Sequence, residues 1–398
     1  MKIAVLSLLL VCGAAGFAAA GDSTFEVYGH VMLDAGYNFK QIAPDWYDVM
    51  RPTKLPVVNK EFGSDGNTYW SVRQTRFGVR TSTPTELGNL TTLFEWELFG
   101  TGVDAGQTTL RLRHAYGQLG KFGAGQTWSP FMDIDVFPNT LEYWGPCGMV
   151  FFRNIQLRFM PIQGDTRFTI ALERPGASGD GGAYADRVEL QDIQPRFPVP
   201  DLSAEYRMGR EWGYVELAGI LRRIQWDDAG TDSVDVSGNV TGWGLNLTSN
   251  IKMGGNDTAR LEVVYGEGIE NYMNDAPEDV AIDKVNPSST APISAKALPV
   301  TGVVAFLDHT WNERYSTSLG YSMVNIDNTG AQLPAAFHRG QYAIVNLLYY
   351  PVPNVTCGIE AQYGKRENFK EDPAAGNFKE SDDFKIQVSF KYNFSQSM

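Results

Sequence analysis

Cysteine is scarce in this 398-residue chain: there are three, and one of them, Cys12, falls in an N-terminal leader. Cys147 and Cys357 remain, too few and too far apart for a disulfide framework or a metal cluster. Long apolar runs are missing beyond the leader. No segment approaches the roughly 18 apolar residues of a spanning helix, which excludes helical insertion. Basic charge is short as well: 33 Lys and Arg stand against 46 Asp and Glu, a formal net charge of -13, which argues against nucleic-acid binding. The four histidines sit in no His-Glu-x-x-His run, and neither a Gly-x-Ser-x-Gly elbow nor a Cys-x-x-Cys-His haem motif occurs. An embedded enzyme and a sheath for an electron-transfer partner therefore lack their signatures. No cofactor or metal is expected, and the chain reads as a non-enzyme.

What is present starts with that leader. Lys2, an apolar run from Ile3 to Cys12 and the small residues Ala18, Ala19 and Ala20 form a signal peptide over residues 1–20, leaving one domain over 21–398. Val11 before Cys12 argues against a lipoprotein. The remaining composition is rich in Gly (41), Phe (22), Tyr (18) and Trp (9). Mean hydropathy is nonetheless only -0.24. Strands with lipid on one side and water on the other have this profile, because alternate residues alone need be apolar and aromatics gather at the interfaces.

Period-two alternation bears this out along the chain. Phe384, Ile386, Val388, Phe390, Tyr392 and Phe394 alternate with Lys385, Gln387, Ser389, Lys391 and Asn393. Phe25, Val27, Val31, Leu33 and Tyr37 alternate likewise with Glu26, His30 and Asp34. Such segments predict strands at 24–38, 70–81, 90–99, 109–119, 122–129, 150–160, 166–173, 201–208, 213–226, 238–253, 258–273, 298–312, 315–327, 338–351, 355–367 and 382–394. Connections after even strands are short, whereas those at 39–69, 174–200 and 274–297 are long and polar. A β-sandwich has no reason to alternate in this way. The fold expected is all-β, a sixteen-stranded antiparallel transmembrane barrel of the bacterial outer membrane, wide enough for an aqueous channel.

Arg111-Leu-Arg-His-Ala-Tyr-Gly117, Phe122-Gly-Ala-Gly-Gln-Thr-Trp-Ser-Pro-Phe-Met-Asp133, Gly145-Pro-Cys-Gly-Met149 and Arg153-Asn-Ile-Gln-Leu-Arg158 resemble the core of the DcaP-like trimeric outer-membrane porin family. Tyr28-Gly29 and Arg76-Phe-Gly-Val79 add to the likeness. The resemblance implies a homotrimer, each barrel narrowed by a constriction loop folded inward after strand five, passing small anionic solutes such as dicarboxylates and aromatic acids. Two departures stand out. The coiled-coil extension common in the family has no room here, since about three residues separate the cleavage site from strand one, so trimer contacts are expected from the barrel walls. Ser395 to Met398 also follow Phe394, where such barrels usually end in an aromatic residue.

Strand parity nominates the residues that set selectivity, since rings of Arg or Lys favour anions. With Phe77 and Val79 outward, Arg76 and Arg80 face in; with Leu110, Leu112 and Tyr116 outward, Arg111 and Arg113 face in; Arg158 and Arg167 follow on strands six and seven. These six arginines are expected on one wall near the loop 129–149, where a planar fork suits carboxylates. They could instead simply pair with inward Glu95 and Glu97, and Asp133, Asp135 and Glu142 on the loop could consume any excess. Gln126 and Trp128 share parity with Phe122 and are expected just below the loop, Trp128 alternatively packing the loop base against the wall. Asp133, with Tyr143 and Trp144, is a candidate for the loop rim; Pro130, Pro138 and Pro146 stiffen the loop, and Gly145 and Gly148 let it turn. Of the histidines, His30 is expected in the lumen and His114 outward; each reads as an ordinary wall residue. Salt screens charge beyond about 8 to 10 Å, so acids in distant loops should matter less than the constriction. A general or sugar-selective porin is the alternative function, and the residues do not name the solute.

Overall fold

The computed structural model describes residues 23–230, 234–286 and 293–398; the expected signal peptide lies outside the described residues. Sixteen strands close a barrel: β1 (Thr24–Asn38), β2 (Arg76–Thr85), β3 (Gly88–Phe99), β4 (Thr108–Leu119), β5 (Phe122–Trp128), β6 (Arg153–Ile162), β7 (Arg167–Glu173), β8 (Asp201–Arg210), β9 (Gly213–Asp228), β10 (Gly238–Met253), β11 (Asp257–Glu267), β12 (Pro299–Asn312), β13 (Tyr315–Ile326), β14 (Phe337–Tyr349), β15 (Val355–Asn368) and β16 (Glu380–Ser397). Each pairs antiparallel with its neighbour in sequence, and β1 pairs with β16 from Glu26 opposite Ser397 to Asn38 opposite Lys385, so no open edge is left. Closure and alternation are what a chain needs where the backbone has no water to bond.

The alternation is visible in exposure. On β16, Phe384, Val388, Phe390 and Tyr392 lie on the outer face, whereas Lys385, Gln387 and Ser389 are 0% exposed inside. The connections after even strands are tight. Between β4 and β5, Gly120 adopts φ +56° and packs so closely that a Cβ would meet the Leu87 carbonyl oxygen at 2.4 Å. Long connections follow odd strands, the arrangement of periplasmic turns and extracellular loops. Above the barrel, Gly179–Asp180, Val280–Val285 and Ile293–Ala297 form a separate small sheet.

Four expectations need correction. The second strand does not run unbroken over 70–81: Asn67–Ser71 pairs with the top of β1, residues 72–75 leave the ladder, and β2 starts at Arg76. The break turns Arg73 inward, 2.7 Å from Asp48. The strand expected over 258–273 stops at Glu267 and gives way to a 3-10 turn, Glu270–Tyr272. Tyr116 and His114 are inside rather than outside. A bulge on β4, where Glu95 opposes His114 but Trp96 opposes Leu112, inserts Arg113 as an extra residue and reverses parity beyond it. Finally, the last strand does not end at 394: Ser395 to Ser397 extend β16 against Glu26 to Tyr28, and Met398 exchanges backbone bonds with Phe25 at 2.9 and 3.2 Å.

Residues 129–152, between β5 and β6, cross the interior to the far wall. Phe131, Met132, Val136, Cys147, Met149 and Val150 bury themselves against inward Val264, Val304, Val324, Tyr342 and Ile344. Apolar side chains inside the barrel are thus the seat of this loop. Its backbone is tied down by wall side chains: Gly148 N donates to Ser322 Oγ at 2.8 Å and Val150 N to Glu262 at 2.8 Å. A Cβ on Gly148 would lie 2.0 Å from the Met323 carbonyl oxygen, so this contact requires glycine.

Candidate functional site

Glu95 and Glu97 project inward from β3 and are 7% and 1% exposed. Bulged Arg113 bridges them, Nε to Glu95 and Nη1 to Glu97, each at 2.6 Å. Arg76 reaches the same two carboxylates at 3.6 and 3.3 Å, and Arg111 reaches Glu97 at 3.7 Å. Tyr28 donates its hydroxyl to Glu95 at 2.8 Å, and loop residue Tyr143 donates to Glu97. Three guanidiniums therefore share two carboxylates, which leaves positive charge over.

The six expected arginines do not all meet there. Arg76, Arg111 and Arg113 do. Arg80 pairs with Glu26 at 2.5 Å, Arg158 accompanies the Tyr116 hydroxyl at 2.8 Å, and Arg167 pairs with Glu205 and Glu216 at 3.2 and 2.9 Å. Parity placed them inside but is blind to height and to local partners. Gln126 spends its amide on the carbonyls of Leu112 and Arg113 at 3.3 and 3.2 Å. Trp128 packs between His114, Phe151 and the guanidiniums of Arg113 and Arg153. Asp133 is not on a rim. It is 1% exposed and anchors the loop to the far wall, accepting from Arg207, Tyr214 and Thr248 at 2.6, 2.6 and 2.7 Å. Asp135 also pairs with Arg207, at 2.5 Å, so these loop acids are consumed away from the Glu95 and Glu97 cluster.

The loop tip is held by carboxylates as well. Glu142 accepts from the backbone N–H of Met50 at 3.1 Å, Trp144 at 2.8 Å and Gly145 at 2.5 Å, and Glu360 accepts from Leu141 and Glu142 N–H at 2.8 and 3.0 Å. Burial lifts the Glu142 carboxyl to about 7, against the pull of those donors and with Glu360 adding repulsion.

Beside the arginine cluster lies a cavity of about 400 Å³ bordered by Arg51, Arg111, Arg153, Trp144, Glu270 and Asn274. Arg51 comes from the first long connection, its guanidinium 4.1 and 3.9 Å from the rings of Trp46 and Trp144 and 2.8 Å from Asp275. Arg153, at the start of β6, lies 4.8 Å over Trp128 and its Nη1 is enclosed without a hydrogen bond. Sequence parity missed Arg153, which shares its phase with outward Ile155. Arg51 sits in a loop where no periodicity points anywhere, and Glu270 falls in the stretch expected as strand that folds instead as the 3-10 turn.

Residues 14–394 match the sequence model of the DcaP outer membrane protein family. No curated protein sequence matches. Among solved structures, the outer membrane channel DcaP of Acinetobacter baumannii superposes with TM-score 0.75 at 20% identity, covering 96% of this chain and 100% of that one. An anion-selective porin from Comamonas acidovorans gives TM-score 0.58 at 9% identity over 94% and 100%. A trimer form of OmpT from Vibrio cholerae gives 0.56 at 11% identity over 94% and 100%. At such identities the likeness is one of fold.

Proposed function

The chain belongs to the DcaP outer membrane protein family, and from that premise we propose that this outer-membrane porin carries small anionic solutes, dicarboxylates and aromatic acids among them, by passive diffusion. The observation that carries this reading is the surplus of guanidinium at the inner wall. Arg113 and Arg76 already satisfy Glu95 and Glu97, so Arg111 at 3.7 Å and unbonded Arg153 keep charge to offer at the cavity. Partly desolvated arginines beside aromatic rings attract planar anions more strongly than they would in bulk water. The net charge of -13 opposes this at long range, but screening beyond about 10 Å at ordinary salt leaves local charge in control.

The working unit in this reading is a homotrimer assembled through the barrel walls, exported by a signal peptide over residues 1–20, and it performs transport without catalysis. The likeness to a trimeric porin supports the assembly. Reversal potentials of the full barrel in planar bilayers under a potassium chloride gradient test the selectivity. Chloride is expected to carry most of the current, with succinate reducing it, and Arg111→Gln together with Arg153→Gln should move the potential toward zero. A cation-preferring wild type ends the proposal.

A further inference from the structure

The cylinder closes at its seam, but one stretch of wall lacks a neighbour. Ala115 to Leu119 of β4 pair with Gln126 to Phe122 of β5, and that ladder stops because the chain after Trp128 turns into the lumen. Thr108 to His114 continue beyond it, bonded to β3 alone. On their other side the described residues offer one partner, the Gln126 amide, which donates to the carbonyls of Leu112 and Arg113 at 3.3 and 3.2 Å. The arginine cavity wraps round this bare edge. Its border includes Leu112 and Gln126, which share the outward parity of Leu110 and Phe122, together with inward Arg111 and, across the gap, Phe152 and Arg153. The cavity thus reaches the outer face sideways, through the wall. Leu110 and Leu112, 71% and 45% exposed, set the opening in the apolar band. Hydrocarbon gives a bare backbone edge neither donors nor acceptors, so such an edge in a membrane wall calls for protein against it.

We infer that a second copy of this chain closes the opening, and that its connection between β3 and β4, residues 100–107, is the part that reaches it. In a closed ring of identical subunits each copy meets the next through two different patches. The opening is one of them, and the connection on the β3 side of the same wall suits the other. Its tip is the 3-10 turn Gly102–Asp104, where Val103 is 97% exposed and Asp104 is exposed with no ion pair among the described residues. An apolar tip beside a free carboxylate matches an opening edged by Leu110 and Leu112 and backed by Arg111 and Arg153. One carboxylate set against two guanidiniums still leaves positive charge for a solute. Each arginine cavity then takes its outer wall from the neighbouring protomer, and the anion path is complete only in the assembly. This inference rests on the proposed homotrimer and adds which wall faces the neighbour and what that wall lacks alone.

The experiment introduces the photo-crosslinking residue p-benzoylphenylalanine in place of Leu110 in the full chain, illuminates it in outer membranes and maps the adducts by mass spectrometry. Covalent dimers are expected, joined between position 110 of one copy and residues 100–107 of the next. The same probe in place of Leu245, outward on β10 and 53% exposed, should give lipid adducts. Lipid adducts alone at position 110 overturn the inference, as does a join that maps outside residues 100–107. Val103→Asp combined with Asp104→Lys removes the apolar tip and sets a cation before the arginines, and it should abolish the join from position 110. A join that survives this double substitution also overturns the inference, and if the double variant does not fold, the mapping without it decides. A wild-type trimer lacking the join removes this inference alone, whereas a wild type that stays monomeric in mild detergent removes the proposed homotrimer beneath it.

Discussion

Arg113 bridges two glutamates that water barely reaches, so its loss acts on stability before it acts on selectivity. Removing one partner of a buried ion pair leaves uncompensated charge, a cost of roughly 3 kcal/mol or more. Arg113→Met is therefore expected to lower the urea midpoint of the folded barrel in lipid vesicles. Adding Glu95→Gln and Glu97→Gln should restore much of it, and an unchanged midpoint in the single variant would show that Arg76 and Arg111 suffice. Sequence parity identified Arg76, Arg111 and Arg113, together with Glu95 and Glu97, as inward. It could not see that a bulge at Arg113 swings His114 and Tyr116 inside, because one inserted residue flips every side chain beyond it while leaving the apolar pattern nearly intact. Arg51 was illegible for a different reason. Its place is set by contacts between loops far apart in the chain, as with Asp275.

The connection 129–152 behaves as an element in its own right, seated by apolar contacts below and by carboxylates at its tip. Protonation bears on that seating. The Glu142 carboxyl rises from its ordinary 4.5 to about 7 when docked, so docking binds a proton. The contribution is fully present below pH 4.5 and is lost as pH rises through about 7. Hydrogen exchange at the Trp144 and Gly145 amides, after correction for intrinsic rates, is expected to be more protected at pH 5 than at pH 8. Glu142→Gln should remove the dependence, since an amide does not titrate, while its single oxygen still accepts from one of those N–H groups. Equal protection at both pH values in the wild type would refute this. The existence of the loop was readable from its length and its Pro and Gly residues, and its inward course came from family resemblance. Its docking side was not readable, because Asp133 looked the same in sequence whether it lined a rim or gripped Arg207.

At the scale of the whole barrel, the dyad pattern made nearly every strand legible to within a few residues, since lipid outside and polar groups inside impose it at each step. The exceptions were the second strand, the end of the eleventh and the closing seam, and the seam yields a prediction. Ending the chain at Phe394 would remove the pairs of Glu26, Val27 and Tyr28 with Ser397, Gln396 and Ser395 and the two bonds between Phe25 and Met398. The truncated barrel is expected to lose its heat resistance on gels several degrees below the full chain and to refold in lower yield. An identical transition would mean the seam is already complete at Phe394.

The inward loop takes its moorings from strands that lie later in the chain: Arg207, Tyr214 and Thr248 for Asp133, Glu262 for Val150, Ser322 for Gly148, Glu360 for the tip. A chain emerging from its N-terminus holds the plug long before it holds the berth. Pairings of such sequence separation form late, so the passage acquires its final bore only once the last strands have arrived. A seated loop is in this sense a certificate of finished assembly, and any half-built cylinder would leak without discrimination.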